Sequence, residues 1–461
     1  MEKIAQFFKF EERSTNLKTE LIAGVSTFLA MAYILPVNAG MLSLIPGVPF
    51  LGVFAATAIA AAVGTLVMGL WANYPVALAP GMGVNAFFVY TVVLYGYGLS
   101  FEAALSAVFI EGIIFLIISV TGLRKMIIDA IPRGLKFAVG AGIGFFITFI
   151  GLKNAGIITA NPATFVSLGD LGNPTVLLAI FGIFLVVALY AYGSKFSLII
   201  SMAAVAFLGL ILGAFGVDFM PAYSSDIFSY GDLFDGIGEV FGAVFSGFGE
   251  LFDSPDVVII IFTFLFIDFF DTAGTLMAVG NAAGLIDEEG HLKDGDKALL
   301  SDSIGTIAGA IAGTSTVTSY VESTVGIEQG GRTGLTAVVV AVLFLVSIAF
   351  SPMLSLINGV EMTDIGAGVY YSPVTSMALV MVGALMVGQL KFIDWDDKAI
   401  VIPAFLTIVF MILSFSIAMG IAIGFIFYPI IMVAQKRYKE VNPMMYALAA
   451  LFLLQFIITY S

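Results

Sequence analysis

Apolar residues run in blocks of about twenty along most of the chain, separated by short polar punctuation. In the first half the blocks lie near 21–43, 51–72, 101–122, 134–152, 174–193 and 196–217. A helix rises about 1.5 Å per residue and the hydrocarbon layer is about 30 Å thick, so each block predicts a membrane-crossing helix. The segment 74–88 is also apolar enough to enter the membrane, but Pro80, Gly81 and Gly83 break its helical pattern. It is predicted to be an interrupted third span.

A hydrophilic stretch from about Val217 to Val257 carries Asp218, Asp226, Asp232, Asp235, Glu239, Glu250, Asp253 and Asp256 without a lysine or arginine, and divides the chain in two. Beyond it, apolar blocks return near 257–280, 298–313, 336–357 and 372–390, then as one run from about 399 to 435, then at 443–460. A Thr/Ser-rich segment at 313–335 takes the third place in this half, as 74–88 does in the first. Paired interruptions at matching positions point to the binding site of an inverted-repeat transporter. If the 399–435 run is a hairpin turning near Ser414–Gly420, each half holds seven spans, and an odd number gives the halves opposite orientations. The organisation expected is an N-terminal segment 1–19, a first repeat 20–217, an acidic extracytoplasmic connection 218–256, a second repeat 257–435 and a C-terminal portion 436–461. The apolar stretch 443–460 is either an extra span or a helix lying on the inner surface.

Loop charge orients these spans. Arg124, Lys125, Arg133 and Lys136 share one loop, Lys195 lies in another, Lys293 and Lys297 in a third, and Lys436, Arg437 and Lys439 follow the hairpin. All fall on the cytoplasmic side if the N-terminus is cytoplasmic, whereas the acidic stretch and the loop around Glu361 and Asp364 fall outside. The first residues mix Lys3, Lys9, Arg13 and Lys18 with Ile4, Phe7, Phe8 and Phe10, which reads as an interfacial segment before a retained first span.

Composition agrees with the pattern. Of 461 residues, 60% are hydrophobic and only 11% charged, and the net charge of −14 argues against a nucleic-acid partner. Without cysteine, disulfides and thiolate metal sites are excluded, and the single His291 lies in a polar loop, so neither a metal nor a cofactor is expected.

Carboxylates inside the apolar blocks carry the candidate chemistry. A charged residue near the bilayer centre costs about 2.5–3.5 kcal/mol on insertion scales and is by default a functional candidate. Asp268 and Asp271 lie three apart and share a helix face; neighbouring carboxylates in low dielectric rarely both ionise, so the pair can hold one proton reversibly. The alternative is that Asp268 bonds a neighbouring helix and only Asp271 faces the cavity. Glu322 follows an extended Thr314–Thr318 stretch; with Ser319 it either forms a capping box or stands at the start of a half-helix whose free N–H groups face a ligand. Asn85, beside the Pro80–Gly83 break, supplies both a donor and an acceptor, and Phe87, Phe88, Phe269, Phe270 and Tyr320 are candidate stacking partners for a flat ligand. Glu111 is a further intramembrane carboxylate, to which no role is assigned.

At these residues the chain resembles the adenine/guanine/hypoxanthine permease branch of the nucleobase cation symporters, in the xanthine/uracil permease superfamily. The likeness rests on Tyr33–Asn38, on Pro80-Gly81-Met82-Gly83-Val84-Asn85, on Asp268-Phe269-Phe270-Asp271-Thr272, and on the segment from Gly313 through Glu322 to Gly330-Gly331-Arg332. The resemblance implies an all-α membrane protein of fourteen spans in two inverted seven-span repeats, with broken spans 3 and 10 carrying short extended segments. Spans 1–4 and 8–11 would form a core and spans 5–7 and 12–14 a gate. It further implies a plasma-membrane purine importer with alternating access, coupled to protons or sodium; whether it is a homodimer stays open. In relatives acidic residues on the eighth and tenth spans hydrogen-bond the nucleobase, which the resemblance places on Asp271 and Glu322, with Asp268 and Asn85 at other important positions. With the reading of the residues themselves, the substrate-binding set expected is Asp271, Glu322, Asn85, Thr275, Phe87 and Val321, and proton coupling is expected at Asp268 and Asp271. The uracil and xanthine branches carry Glu-His where Asp271-Thr272 stands, so protonation here must rest on carboxylates. Two other readings are weighed against this one. An anion exchanger or channel would favour Arg or Lys at the site, and none is evident in spans 3, 8 or 10; an intramembrane aspartyl hydrolase would draw its carboxylates from two facing helices.

Overall fold

The computed structural model describes residues 2–121, 131–217, 220, 230–285, 292–293, 295–351, 360–362 and 370–460. Arg124, Lys125, Asp218, Asp226, His291 and Asp364 lie outside them, as does the side chain of Phe270. The protein is an all-helical membrane protein, and among the described residues eight apolar helical segments are long enough to cross a bilayer: Leu17–Leu42, Phe50–Ala72, Phe101–Thr121, Arg133–Asn154, Pro174–Ala191, Ser197–Ala214, Pro373–Phe392 and Ile417–Ala434. Shorter apolar helices supplement them at Met82–Tyr95, Val257–Phe269, Gly334–Phe350, Lys398–Leu413 and Pro443–Leu454.

In chain order, α1 (Glu2–Phe7), α2 (Leu17–Met31), α3 (Ile34–Leu42) and α4 (Phe50–Val67) lead to β1 (Leu78–Pro80) and α5 (Met82–Ala86). Then come α6 (Phe101–Thr121), α7 (Arg133–Asn154), the hairpin β2 (Ile158–Asn161) and β3 (Phe165–Leu168), α8 (Pro174–Ala191) and α9 (Ser197–Ala214). The acidic stretch is not a bare connection: it folds into α10 (Tyr230–Val240), packed on α4, and α11 (Phe248–Asp253), packed on α6. The second half runs through α12 (Val257–Ala282), α13 (Gly295–Ala312), β4 (Val317–Ser319), α14 (Ser323–Glu328) and α15 (Gly334–Ser347). It ends with α16 (Pro373–Val387), α17 (Lys398–Leu413), α18 (Ile417–Ala434) and α19 (Pro443–Tyr460). The long run 399–435 is thus two helices parted at Ser414–Ser416. α19 packs along α18, with Phe452 against Phe425 and Phe262.

Helix packing falls into two groups. α2, α4, α6 and α12–α15 contact one another, and so do α7–α9 with α16–α18. Within the first group β1 and β4 meet as a two-stranded antiparallel ladder, Leu78 opposite Ser319, Ala79 opposite Thr318 and Pro80 opposite Val317. Backbone groups inside a bilayer must be satisfied within the protein, and two extended segments satisfy each other here. The flanking bonds from Gly81 N to Thr316 O and from Tyr320 N to Ala77 O are both 3.0 Å. The ladder's outer edges are closed by two threonines. On α4, Thr65 Oγ1 accepts from Leu78 N at 2.9 Å and donates to Leu78 O at 3.1 Å. On α13, Thr306 Oγ1 accepts from Val317 N at 3.2 Å and donates to Val317 O at 3.1 Å. A Cβ at Gly81 would come within 2.8 Å of Thr318, so the close approach of the strands requires glycine there.

Candidate functional site

The candidate site is the recess-like patch of partly exposed residues, Asp271, Thr275, Val321 and Glu322, where this ladder meets α12. Glu322 is the N-cap residue of α14, and its Oε1 accepts the Tyr33 hydroxyl at 2.5 Å; Tyr33 is wholly buried between α2 and α3. The capping box does not form. Ser319 stays in β4 and donates to Asp302 Oδ1 at 3.0 Å, while α14 begins only at Ser323 and has six residues, too short for its dipole to define a ligand site. Tyr320 donates to Pro80 O at 2.6 Å, so residues on both sides of the crossing hold Glu322 in place.

Asp271 stands on α12 within hydrogen-bonding reach of Thr318 and interacts electrostatically with Glu322. Both carboxylates are partly exposed although the surrounding helices are packed, and so is Thr275, one turn beyond Asp271. Val321, next to Glu322, is 49% exposed. Among the described residues no lysine or arginine interacts with Asp271 or Glu322, and no group of acidic or histidine side chains could hold a metal ion.

Two further residues expected at the site lie behind it. Asn85 is fully buried, accepts the Ser315 hydroxyl at its Oδ1, and has no acceptor for its Nδ2. Phe87 is fully buried edge-on against Phe264, with ring centroids 4.8 Å apart. The expected aromatic wall is not seen in these rings: Phe88 also packs on Phe264, and Phe269 on Phe115, so all three are buried in the core.

The Asp268/Asp271 face divides as well. The three-residue offset turns Asp268 away from the recess, where it is fully buried and faces Glu111 of α6 and Asp302 of α13. Thr272 donates to Asp268 Oδ1 at 3.3 Å. This is the arrangement in which Asp271 alone of the two meets the cavity.

Sequence reasoning noted Tyr33 only as part of the Tyr33–Asn38 motif and did not single out Thr65, Asp302 or Thr306. Asp302 satisfied the rule applied to Asp268, being a carboxylate within an apolar block; the threonines gave no signal, since their role depends on a strand edge from elsewhere in the chain.

Comparisons with known proteins agree with this geometry. The sequence model of the Permease family (Xan_ur_permease) matches residues 18–428. The chain is 48% identical over 459 residues to the guanine/hypoxanthine permease PbuG of Bacillus subtilis, covering 98% of this chain and 99% of that protein. It is 40% identical over 457 residues to the adenine permease AdeQ of Escherichia coli, covering 99% and 96% respectively. Among solved structures, the fold is similar to the transmembrane domain of the cyanobacterial bicarbonate transporter BicA, with TM-score 0.57 and 14% identity over 89% of this chain and 97% of that one. It is also similar to the murine anion transporter Slc26a9, with TM-score 0.56 and 10% identity over 91% of this chain and 69% of that one. A match across most of the chain, with broken spans crossing at a carboxylate-lined recess, means that the protein belongs to the Permease family and is a membrane transporter, not an enzyme.

Proposed function

We propose that the protein imports purine nucleobases (adenine, guanine and hypoxanthine) by proton symport with alternating access. The observation that carries this reading is the pair of part-exposed carboxylates, Asp271 and Glu322, beside the crossing of two broken spans, with no lysine or arginine at either among the described residues. A neutral purine presents N–H donors that two carboxylates can accept. Asp271 and Glu322 are the hydrogen-bonding residues, Thr275 and Val321 form the rim, and Asn85 and Phe87 hold the crossing from behind. The names of PbuG and AdeQ agree with a purine cargo.

The two packing groups support a core of spans 1–4 and 8–11 moving against a gate of spans 5–7 and 12–14, in fourteen spans overall. Net proton movement requires a carboxylate that alternates in charge, and α12 carries two, Asp268 and Asp271. The N-terminus is cytoplasmic and the membrane is the plasma membrane.

One observation favours a second reading, an anion exchanger: the solved structures of similar fold are titled as bicarbonate and anion transporters. Uptake of radiolabelled adenine, guanine and hypoxanthine into proteoliposomes, with and without an inward proton gradient, separates the two. Concentrative purine uptake that collapses with the gradient is expected. Transport of bicarbonate or chloride without purine uptake would overturn the proposal.

A further inference from the structure

Behind the recess lies a carboxylate cluster drawn from three helices: Glu111 of α6, Asp268 of α12 and Asp302 of α13, each fully buried. Glu111 and Asp268 face one another. Two ionised carboxylates are acceptors only, so a buried pair with no donor between them is satisfied by a proton on one member. The remaining oxygens bear this out: Glu111 Oε1 and Asp268 Oδ2 are buried and meet no donor. The donors that do reach the pair are hydroxyls, Thr316 to Glu111 Oε2 at 3.4 Å and Thr272 to Asp268 Oδ1 at 3.3 Å.

We propose that Glu111 and Asp268 share the coupling proton, and that the site for the transported cation is therefore this interhelical pair rather than the Asp268/Asp271 face of α12. The inference rests on the proton-coupled reading above and assigns a role to Glu111. The titratable groups facing the pair are Asp302 from α13 and, beyond Asp268 on α12, Asp271. Among the described residues no lysine or arginine faces either member, and the other elements packed on α6, namely α11, the short helix Ala243–Phe245 and the segment Phe87–Tyr95, present no titratable group to it. Losing the proton would leave neighbouring anions buried without a cation, which strongly favours rebinding.

The pair is wired to the substrate recess. Thr316, which bonds Glu111, and Ser319, which bonds Asp302, bracket β4, and β4 leads directly to Glu322. Asp271, one turn along α12 and partly exposed, is the route by which a proton from the recess reaches Asp268. One proton enters with the purine from one side and leaves as H⁺ on the other; no bond other than O–H is made or broken.

The test uses the full-length protein in proteoliposomes with radiolabelled hypoxanthine. Glu111→Gln should keep hypoxanthine affinity within about threefold and keep exchange of internal for external hypoxanthine. Accumulation driven by a pH gradient should fall to the equilibrium ratio, and the pH dependence of binding from about pH 5 to about pH 8 should flatten. Asp268→Asn should do the same from the other side of the pair. If wild type accumulates hypoxanthine with the proton gradient and a folded Glu111→Gln does so equally, the pair is structural and this proposal falls while the symport reading stands. If wild type itself ignores the proton gradient or follows a sodium gradient at fixed pH, the symport reading falls first. Infrared difference spectra of wild type keep the inference falsifiable without variants: a protonated carboxylic acid band near neutral pH is expected, and its absence overturns the proposal.

Discussion

Glu322→Gln isolates the chemistry of the recess. Glu322 Oε1 is committed to the Tyr33 hydroxyl at 2.5 Å, leaving Oε2 as the acceptor for a ligand N–H. Glutamine can keep an oxygen toward Tyr33, so that bond should survive, but it then sets an NH2 group where the ligand's donor arrives. A hydrogen bond to a charged acceptor contributes about 1.5–3 kcal/mol, which corresponds to a loss of about 10- to 150-fold in affinity. If the amide flips instead, Tyr33 accepts from the NH2 and the ligand meets a neutral oxygen; the loss then falls at the lower end of that range. The assay is equilibrium binding of radiolabelled hypoxanthine to detergent-purified protein, with thermal melting to establish that the variant is folded. Wild-type affinity in a folded Glu322→Gln protein would refute the assignment of Glu322 as a substrate acceptor.

Other perturbations follow from the packing. Thr65→Val and Thr306→Val each strip the outer edge of one strand of buried partners, and each should lower stability by about 1–3 kcal/mol in detergent unfolding; because they serve opposite strands, their effects should roughly add. Gly81→Ala puts a Cβ within 2.8 Å of Thr318 and should destabilise by about 1–3 kcal/mol; pairing it with Thr318→Ser should restore part of the melting temperature, and no recovery would mean the clash lies elsewhere. Lys195, between α8 and α9, pairs with Glu328 at the end of α14, and so joins the two packing groups. Because the native chain has no cysteine, Lys195→Cys with Glu328→Cys can be bridged by a short bis-maleimide, which should arrest uptake; unchanged uptake across a complete bridge would exclude relative motion there. Glu440 provides a control: bonds from Arg437 at 2.8 and 3.1 Å hold its carboxyl below the ordinary range. Its contribution to stability is present above the unfolded value of about 4.3 and is lost as pH falls through the lower folded value. It stays ionised through the neutral range, so Glu440→Gln should leave the pH profile of uptake unaltered.

Much of this architecture was legible in the chain because lipid imposes a simple code. Spanning helices announce themselves by length, and Pro80-Gly81 and the threonine run 314–318 announce the two breaks, since each opposes a helix for its own local reason. That the breaks pair with one another was not legible, because strand register depends on contacts between residues some 240 positions apart. Asp271 and Glu322 drew notice through the expense of an intramembrane charge. The same rule pointed to Asp268 and left open whether it shares the exposed side with Asp271 or turns to a neighbouring helix, because helical spacing says that two residues share a face, not where the boundary with the core cuts that face. The burial of Phe87 was not legible for a related reason. An aromatic beside a candidate site is as useful to the core as to a ligand, and composition with 43 phenylalanines offers no means of choosing.

The contrast between fold and site argues for what distinguishes this transporter from its structural neighbours. A chain sharing 10–14% identity with a bicarbonate transporter domain and an anion transporter keeps the same overall architecture, so the fold itself does not select cargo charge. Selection must come from the groups presented at the crossing, which here are carboxylates steadied by Tyr33 and Thr318. An anionic cargo would meet like charge in a partly desolvated recess, which costs several kcal/mol at close range, whereas a neutral N–H donor gains charge-assisted bonds. If Asp271 and Glu322 are the substrate site proposed, that site would reject the neighbours' cargo by repulsion and accept its own by hydrogen bonding. It also carries a burden that a cationic anion site does not: without substrate, acidic groups must cross the closed state with no cation of their own. On the proposed reading, a proton shared by Glu111 and Asp268 behind the ladder would lower that burden, and would place the coupling group next to, but apart from, the carboxylates Asp271 and Glu322 that meet the cargo.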